Sequence, residues 1–441
     1  MEDAYSILGG VPIRGSVRVS GAKNVALKAI IAALLMEKKV TLRNVPHIRD
    51  VEELLHLIKK LGVKTKHSEE HVLQIDPTTL SKNRVDLLHA STIRVSFMLF
   101  APLLHKFGKC FIPNPGGCRL GERPIGRIIQ GMRKLGVAVE YNSATGYYEA
   151  TMNQNPIGTY EFKKPSHTGT ELLIMLAAIG DQTIVIKNAA EEPEIDDLIR
   201  FLTESGAKIE RQGTVITITG VPQLEQKKPF TIPGDRNEAI TFAILGVATK
   251  GEITVYGIDR SSIKTFIDYM KKAGAGVAQV NGHRTTFYYK GPIKPVDVVT
   301  SPQPGFMTDW QPGWAVLMTQ ATGTSMIHER VFENRFAYVD ELKKLGADIE
   351  AKEVIVKDPK NFYFFNYDLR RKYMQAITIK GGHQLHGGVL KIADLRAGAS
   401  SVLAALVAEN ESIITGASIL ERGYEHFVEK VSALRGQITK L

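Results

Sequence analysis

Six glycines mark the points where a helical pattern gives way to alternating residues, and they recur about every 70 residues through this 441-residue chain. They stand in Lys60-Leu61-Gly62-Val63, Lys134-Leu135-Gly136-Val137, Glu204-Ser205-Gly206-Ala207, Lys272-Ala273-Gly274-Ala275, Lys344-Leu345-Gly346-Ala347 and Leu434-Arg435-Gly436-Gln437. Glycine just past a helix fills the left-handed position that closes it, and the residues that follow read as an outgoing strand. The helix before the first of these glycines has an apolar stripe of Val51, Leu54, Leu55, Ile58 and Leu61, with Glu52, Glu53, Lys59 and Lys60 on the water side.

Each repeat also holds a second helix that is apolar almost all round: Val25 to Met36, Val95 to Leu104, Leu172 to Ile179, Ala239 to Val247, Trp314 to Ala321 and Ala399 to Val407. A helix without a polar face must be enclosed on every side. The predicted class is therefore α/β (α+β): two inside-out α/β barrel domains, each wrapping three buried helices in sheets and amphipathic helices. Ordinary doubly wound sheets fit less well, because they put amphipathic helices outside and apolar strands inside. Boundaries fall near Gly21 to Lys23 and near Lys228 to Pro233, so residues 22–232 form one domain and residues 1–21 with 233–441 the other. The N-terminal strand then pairs with the C-terminal half. Two chain crossings make a hinge, and closure on a ligand in an interdomain cleft would keep water from the chemistry.

The N-terminal ends of the buried helices carry Lys23 and Asn24, Arg94, the Ser166 to Thr170 run, Asp235 and Arg236, Thr308 and Asp309, and Asp394 and Arg396. A cation there opposes the helix dipole by about 0.3–1 kcal/mol, and its repetition asks for a compensating anion such as phosphate or carboxylate. Pairing with a structural charge is the alternative for any single one of them. The net charge of +10 also suits an anionic partner. Its lysines are scattered over helix ends, which favours a small anionic substrate over nucleic acid.

The acidic start Met1-Glu2-Asp3 is unlike a secretory leader, and the apolar run Val25 to Met36 is short and interrupted by Lys28. A cytoplasmic protein with no membrane partner is expected. Two cysteines are too few for a disulfide framework, and His47, His167, His383 and His386 form no ligand set, so neither metal nor cofactor is expected. One of the cysteines lies on the glycine-rich stretch Pro115-Gly116-Gly117-Cys118-Arg119-Leu120-Gly121-Glu122-Arg123-Pro124. Two arginines close to Cys118 favour its thiolate and make the sulfur a plausible acid or nucleophile.

The sixfold pattern, together with Gly21-Ala22-Lys23-Asn24, Pro115-Gly116-Gly117-Cys118, Pro233-Gly234-Asp235-Arg236, Thr308-Asp309-Trp310-Gln311-Pro312, Val331-Phe332-Glu333-Asn334-Arg335-Phe336 and Asp394-Leu395-Arg396-Ala397, resembles the enolpyruvyl transferases nearly from end to end. Among them it is most similar to the branch whose acceptor is UDP-N-acetylglucosamine, at the start of peptidoglycan precursor synthesis. The shikimate-pathway branch works without the cysteine loop. The resemblance implies a monomer that uses phosphoenolpyruvate and UDP-N-acetylglucosamine, with Cys118 as proton donor, Asp309 as base, and Lys23 and Arg396 also in the catalytic set. It implies that Lys23, Asn24, Arg123 and Arg396 hold phosphoenolpyruvate, with Arg335 a candidate. Arg94, Arg123, Pro124, Ile125, Lys164, Ser166, Asp309 and Val331 match positions that hold the nucleotide sugar.

Thr308-Asp309 also reads as a natural helix start, so Asp309 could serve as a cap. Glu192 and Glu194 repeat a family stretch but suit the first turn of a helix, and are read as structural. Two departures stand out: Ile125-Gly126-Arg127-Ile128 where the family usually has Val-Asp-Leu-His, and His167-Thr168 where Val-Gly is commoner. They keep open a paralogue acting on a different nucleotide or sugar acceptor. A binding protein that has kept only the fold is the non-catalytic alternative, and the joint presence of Cys118, Asp309, Lys23 and Arg396 argues against it.

Overall fold

Between Gly158 and Thr219 one repeat is complete. A strand (Gly158–Glu161) leads to an enclosed helix (His167–Ala177), a second strand (Thr183–Lys187), an amphipathic helix (Pro193–Glu204) and a hairpin (Lys208–Gln212 and Val215–Thr219). The first two strands pair in parallel, as a helical crossover requires, and the hairpin adds antiparallel neighbours. The computed structural model describes residues 3–116, 125–392 and 394–441.

The chain divides into two units, one of residues 21–116 and 125–233, the other of residues 3–20 and 234–441. In the first, the repeat that starts with the buried helix Lys23–Ala33 borrows its parallel edge strand, Phe230–Thr231, from the far end of the unit. The middle repeat keeps three strands, and its parallel edge shrinks to a single bridge between Arg84 and Phe111. In the second unit the borrowed strands come from the N-terminus. Arg14–Arg18 runs parallel to Glu252–Tyr256, and Ala4–Leu8 lies antiparallel between Glu411–Thr415 and Gln437–Lys440. The N-terminal strands thus complete sheets of the C-terminal half.

All six apolar segments are buried helices. Three pack on one another in each unit: Arg236–Ala248, Gln311–Thr319 and Leu395–Val407 in the second, and Lys23–Ala33, the segment from Arg94 to Phe107 and His167–Ala177 in the first. Every residue of Arg236–Ala248 and of Leu395–Val407 is buried. The segment expected as a helix from Val95 to Leu104 begins instead as a 3-10 helix, Arg94–Leu99, and becomes α-helical only from Phe100 to Phe107. Pro102 is the physical reason: it has no N–H to give the carbonyl four residues back, and its ring crowds that carbonyl. The stripe on Arg49–Lys60 is as read, with Val51, Leu54, Leu55 and Ile58 buried and Leu57 added to them.

Five of the six glycines have the left-handed backbone expected, with φ from 83° at Gly274 to 107° at Gly206. In each, the residue after glycine donates its N–H to the carbonyl five back, as Val63 does to Ile58 and Ala347 to Leu342. The sixth differs. Arg435 takes the left-handed position (φ 70°), and Gly436 itself donates to Val431. Glycine is needed at 436 for space, since a Cβ there would lie 2.5 Å from Val431 Cγ1. Gly436→Ala should therefore destabilise by about 1–3 kcal/mol through crowding. Arg435→Gly, which relieves the left-handed strain, should raise stability by up to about 1 kcal/mol. Urea denaturation of the two variants checks the assignment; equal effects of the same sign would refute it.

Candidate active site

In the unit of residues 3–20 and 234–441, charge gathers where the buried helices Gln311–Thr319 and Leu395–Val407 begin. Asp394 caps the latter, its Oδ1 accepting from the N–H groups of Arg396 and Ala397 at 2.9 and 3.0 Å. Arg396 is thereby fixed in the first turn, and its Nε reaches Asp309 Oδ2 at 3.4 Å. Arg335 Nη2 donates to the other carboxylate oxygen, Asp309 Oδ1, at 2.8 Å. Asp309 does not cap its helix: Trp310 holds the N-cap position, and no side chain bonds there. The carboxylate bridges two guanidinium groups whose side chains are 4% and 9% exposed, while its own is 25% exposed. It is the member of the trio that water or a ligand reaches.

Neighbours hold the arginines in turn. Arg335 Nη1 donates to Thr308 Oγ1 at 2.6 Å, and that hydroxyl donates to Glu329 Oε2 at 2.8 Å. Glu329 is fully buried and also accepts from the N–H groups of Val331 and Phe332 at 2.7 and 3.1 Å. Burial raises its carboxyl above the ordinary range, against the pull of Arg335 and these donors. Burial works against the Arg335 charge, yet Asp309, Glu329 and Asp394 outweigh it and hold the guanidinium firmly protonated. Gln311 Nε2 donates to the Arg335 carbonyl at 2.8 Å and Tyr338 donates to Gln311 Oε1 at 2.5 Å. Arg396 Nη1 donates to the Tyr424 hydroxyl at 3.1 Å, which lies 2.8 Å from Thr241 Oγ1.

In the unit of residues 21–116 and 125–233, Lys23 opens the helix Lys23–Ala33, and its Nζ meets Asp50 Oδ2 at 2.6 Å. Asn24 follows it, half-buried. Arg94 begins the 3-10 helix, with its guanidinium 5.9 Å from the Phe97 ring centroid. Lys164 lies half-buried ahead of Ser166, whose Oγ accepts from Gly169 N–H at 3.3 Å and caps His167–Ala177. Ile125 is buried at the start of Gly126–Lys134. The anion expected opposite each helix-end cation is thus partly supplied by the protein itself, by Asp50 for Lys23 and by Asp309 for Arg396. Val331 belongs with the other cluster through its bond to Glu329. Cys118, Arg123 and Pro124 lie outside the described residues. Among the described residues, no group of three His, Cys, Asp or Glu is arranged to hold a metal ion, and no helix is long and apolar enough to cross a membrane.

A family profile described as EPSP synthase (3-phosphoshikimate 1-carboxyvinyltransferase) matches residues 7–431. This chain belongs to the EPSP synthase family. Among relatives, the UDP-N-acetylglucosamine 1-carboxyvinyltransferase of Koribacter versatilis (strain Ellin345) is 37% identical, over 100% of this chain and 96% of that protein. The protein of the same name from Halothermothrix orenii is 38% identical over 99% of each. Among solved structures, the enolpyruvyl transferase NikO from Streptomyces tendae superposes with a TM-score of 0.86 at 22% identity, covering 100% of this chain and 99% of that one. An EPSP synthase from Acinetobacter baumannii gives 0.75 at 17% identity, with 99% of each covered. The two solved structures establish the two-domain α/β fold of the family.

Sequence reasoning missed several groups that shape this family member's charged clusters. Glu329 stands two residues before the Val331–Phe336 motif, but nothing in the sequence separates it from a solvated acid following a strand. Asp50 reads as an ordinary first-turn acid, and Tyr424 carries no local signal. A buried trio was also unforeseen: Glu171, fully buried, lies 3.2 Å from both Lys28 Nζ and His167 Nε2. Lys28 is the charge that interrupts an apolar run, and His167 is one of the departures from the family pattern.

Burial by itself would discharge His167, but Glu171 outweighs it with help from Glu192 and against Lys28, so the imidazole titrates above its ordinary 6.5. A folded-state value above the unfolded one means stability that is full below pH 6.5 and lost as pH rises through the raised value. His167→Gln should accordingly lose less stability than the parent chain as pH is raised above 6.5, measured by urea denaturation. Parallel profiles would show that the imidazole carries no linked charge.

Proposed function

We propose that this chain transfers the enolpyruvyl group of phosphoenolpyruvate to the 3-hydroxyl of UDP-N-acetylglucosamine and releases inorganic phosphate, the first committed step of peptidoglycan precursor synthesis. One observation carries the reading: relatives named UDP-N-acetylglucosamine 1-carboxyvinyltransferase match the chain end to end at 34–38% identity. The alternative of another acceptor, raised by the Ile125–Ile128 and His167-Thr168 departures, has no comparable support. A cytoplasmic location goes with this reading, since both substrates are cytosolic metabolites.

The reaction sets the parts required. As the sugar O3 bonds to C2 of phosphoenolpyruvate, its proton must leave and C3 must gain one. We assign the first proton to Asp309 and the second to the thiol of Cys118. The product of that step is a tetrahedral phosphate ketal. C3 then returns a proton as the C2–O bond to phosphate breaks, leaving the enol ether and inorganic phosphate. Lys23, Asn24, Arg123 and Arg396 are assigned to the anionic co-substrate, and Arg94, Lys164 and Ser166 to the nucleotide sugar.

The geometry around Asp309 supports its role. Of its two guanidinium contacts, the one to Arg396 is the longer, 3.4 Å against 2.8 Å to Arg335. A phosphate or carboxylate that engages Arg396 competes with Asp309 for it, and a carboxylate with one cation fewer accepts a proton more readily. Arrival of the co-substrate thus readies the base. Cys110 is unsuited to the acid role: it is fully buried on Lys109–Pro113, and burial pushes its thiol far up.

Phosphate release in the presence of both substrates tests the reading directly. Asp309→Asn should lower kcat by roughly 10²–10⁴-fold. Cys118→Ala should be inactive near neutral pH, and Cys118→Asp should keep part of the rate because a carboxylic acid can still protonate C3. The epoxide fosfomycin should add to Cys118 and spare Cys110, as read by mass spectrometry. Full activity of Cys118→Ala rejects the acid assignment, and phosphate release with another acceptor only rejects the substrate.

A further inference from the structure

The hairpins of the repeats close through short connections: five residues after His67, four after Asn142, two after Gln212 and two after Asn281. The hairpin of the fifth repeat does not. Between Asp348–Ala351 and Ala376–Lys380 it carries 24 residues, 352–375, with a single helical turn at Pro359–Phe362. Connections this long inside a compact repeat are uncommon and are usually retained for function.

This one has a small core of its own. Tyr363 and Tyr367 stack 5.2 Å apart at 8°, and Tyr373 packs on Tyr367 at 4.7 Å and on Phe365 at 5.2 Å. It folds back on the segment that follows strand Thr324–His328. Tyr363 OH lies 3.0 Å from His328 Nε2. The Phe362 carbonyl accepts from Arg330 Nε and Nη2 at 3.1 and 2.9 Å, and Phe364 N–H donates to the Arg330 carbonyl at 2.8 Å. The tightest grip is Gln375, 5% exposed. Its Nε2 donates to the carbonyls of Glu329 and Phe332 at 2.8 and 3.0 Å, its Oε1 accepts from Asn334 N–H at 2.7 Å, and its carbonyl accepts from Glu329 N–H at 2.7 Å. Met374 N–H donates to Asn334 Oδ1 at 2.8 Å.

The segment so held ends in Arg335, the shorter of the two guanidinium contacts to Asp309, and begins with Glu329, which fixes Thr308 beside it. We propose that the 352–375 insertion braces the base of the reaction, with Gln375 as a positioning residue that acts on Asp309 through residues 329–335. The inference rests on the enolpyruvyl-transfer reading and on Asp309 as its base. In the physical chain, three hydrogen bonds from one buried amide set the backbone of the 329–334 turn. That turn sets the Glu329 carboxylate and the Arg335 guanidinium, and these two set the charge and orientation felt by Asp309. Removing the amide takes one hydrogen-bond partner from the buried Glu329 carbonyl and one each from the less buried Phe332 carbonyl and Asn334 N–H, which releases the turn to shift. A shift of about 1 Å in a positioning group is enough to cost a rate factor of ten or more.

Gln375→Leu keeps the side-chain volume and deletes the three bonds. In the full-length protein, kcat for phosphate release should fall on the order of tenfold, with KM for UDP-N-acetylglucosamine within about twofold of the parent. The acid limb of the kcat profile should move to higher pH as Arg335 loosens from Asp309. The charged groups around that pair, Arg396, Glu329 and Asp394, are unchanged by the substitution. A loss of folded protein alone would scale kcat equally at every pH and leave the limb in place. Asn334→Gly is the milder variant: residue 334 has φ 52°, which glycine adopts freely, so it removes only the tie to Met374. It should shift the same limb in the same direction by a smaller amount, and it decides the matter if Gln375→Leu does not fold. Amide exchange of residues 329–335 without substrate should quicken in both variants. Unmoved pH limbs with parental exchange overturn the brace. A parent protein that releases no phosphate while exchange still quickens overturns the functional reading and leaves the brace standing.

Discussion

Everything in this molecule follows from six helices that have no polar face. Such helices cannot lie on a surface, so sheets and amphipathic helices must close around them, three to a unit. Polar groups then have only the helix ends to occupy. Among the described residues, the charged exceptions well inside these helices are few and paired. Lys28 and Glu171 face one another from two buried helices, with His167 on the other side of the carboxylate, because a lone charge at those sites would cost several kcal/mol. Apolar burial therefore decides where chemistry can reside.

At those ends the protein has set charges against one another. Lys23 is matched by Asp50, Arg396 and Arg335 by Asp309, and Arg335 again by Glu329 through Thr308. Pairing holds the cations in fixed orientations, so little reorganisation is left for a reaction at these ends. The pairs differ in strength, and the difference is informative. Both guanidinium groups are anchored to a neighbouring hydroxyl, but Arg335 meets Asp309 at 2.8 Å and Arg396 at 3.4 Å, so the second is the looser tie to the carboxylate.

How far the fold was legible depended on whether its signals were local. The apolar helices, the closing glycines and the stripe on Arg49–Lys60 are properties of single segments, and each stood out in the sequence. Even there, two details required coordinates. Pro102 converted the entry of one helix into a 3-10 turn, and Arg435 rather than Gly436 took the left-handed position. Asp309 shows the limit most clearly. Its sequence context, Thr-Asp before an apolar run, fits a cap, and only the folded chain puts Trp310 at the cap position and turns the carboxylate to Arg335 and Arg396, distant in sequence. Glu329, Asp50 and Tyr424 carried no sequence signal at all, and the long hairpin of residues 352–375 was visible only once its strands were paired.

The sequence by itself determined what must be buried, which repeats must form and which motifs mark the family, because hydrophobic period and backbone stereochemistry act over a few residues. Tertiary structure alone decided which charge meets which. The pairs at Lys23, Lys28 and Asp309 join side chains tens to more than a hundred positions apart, and their worth depends on distance and burial that no local pattern encodes.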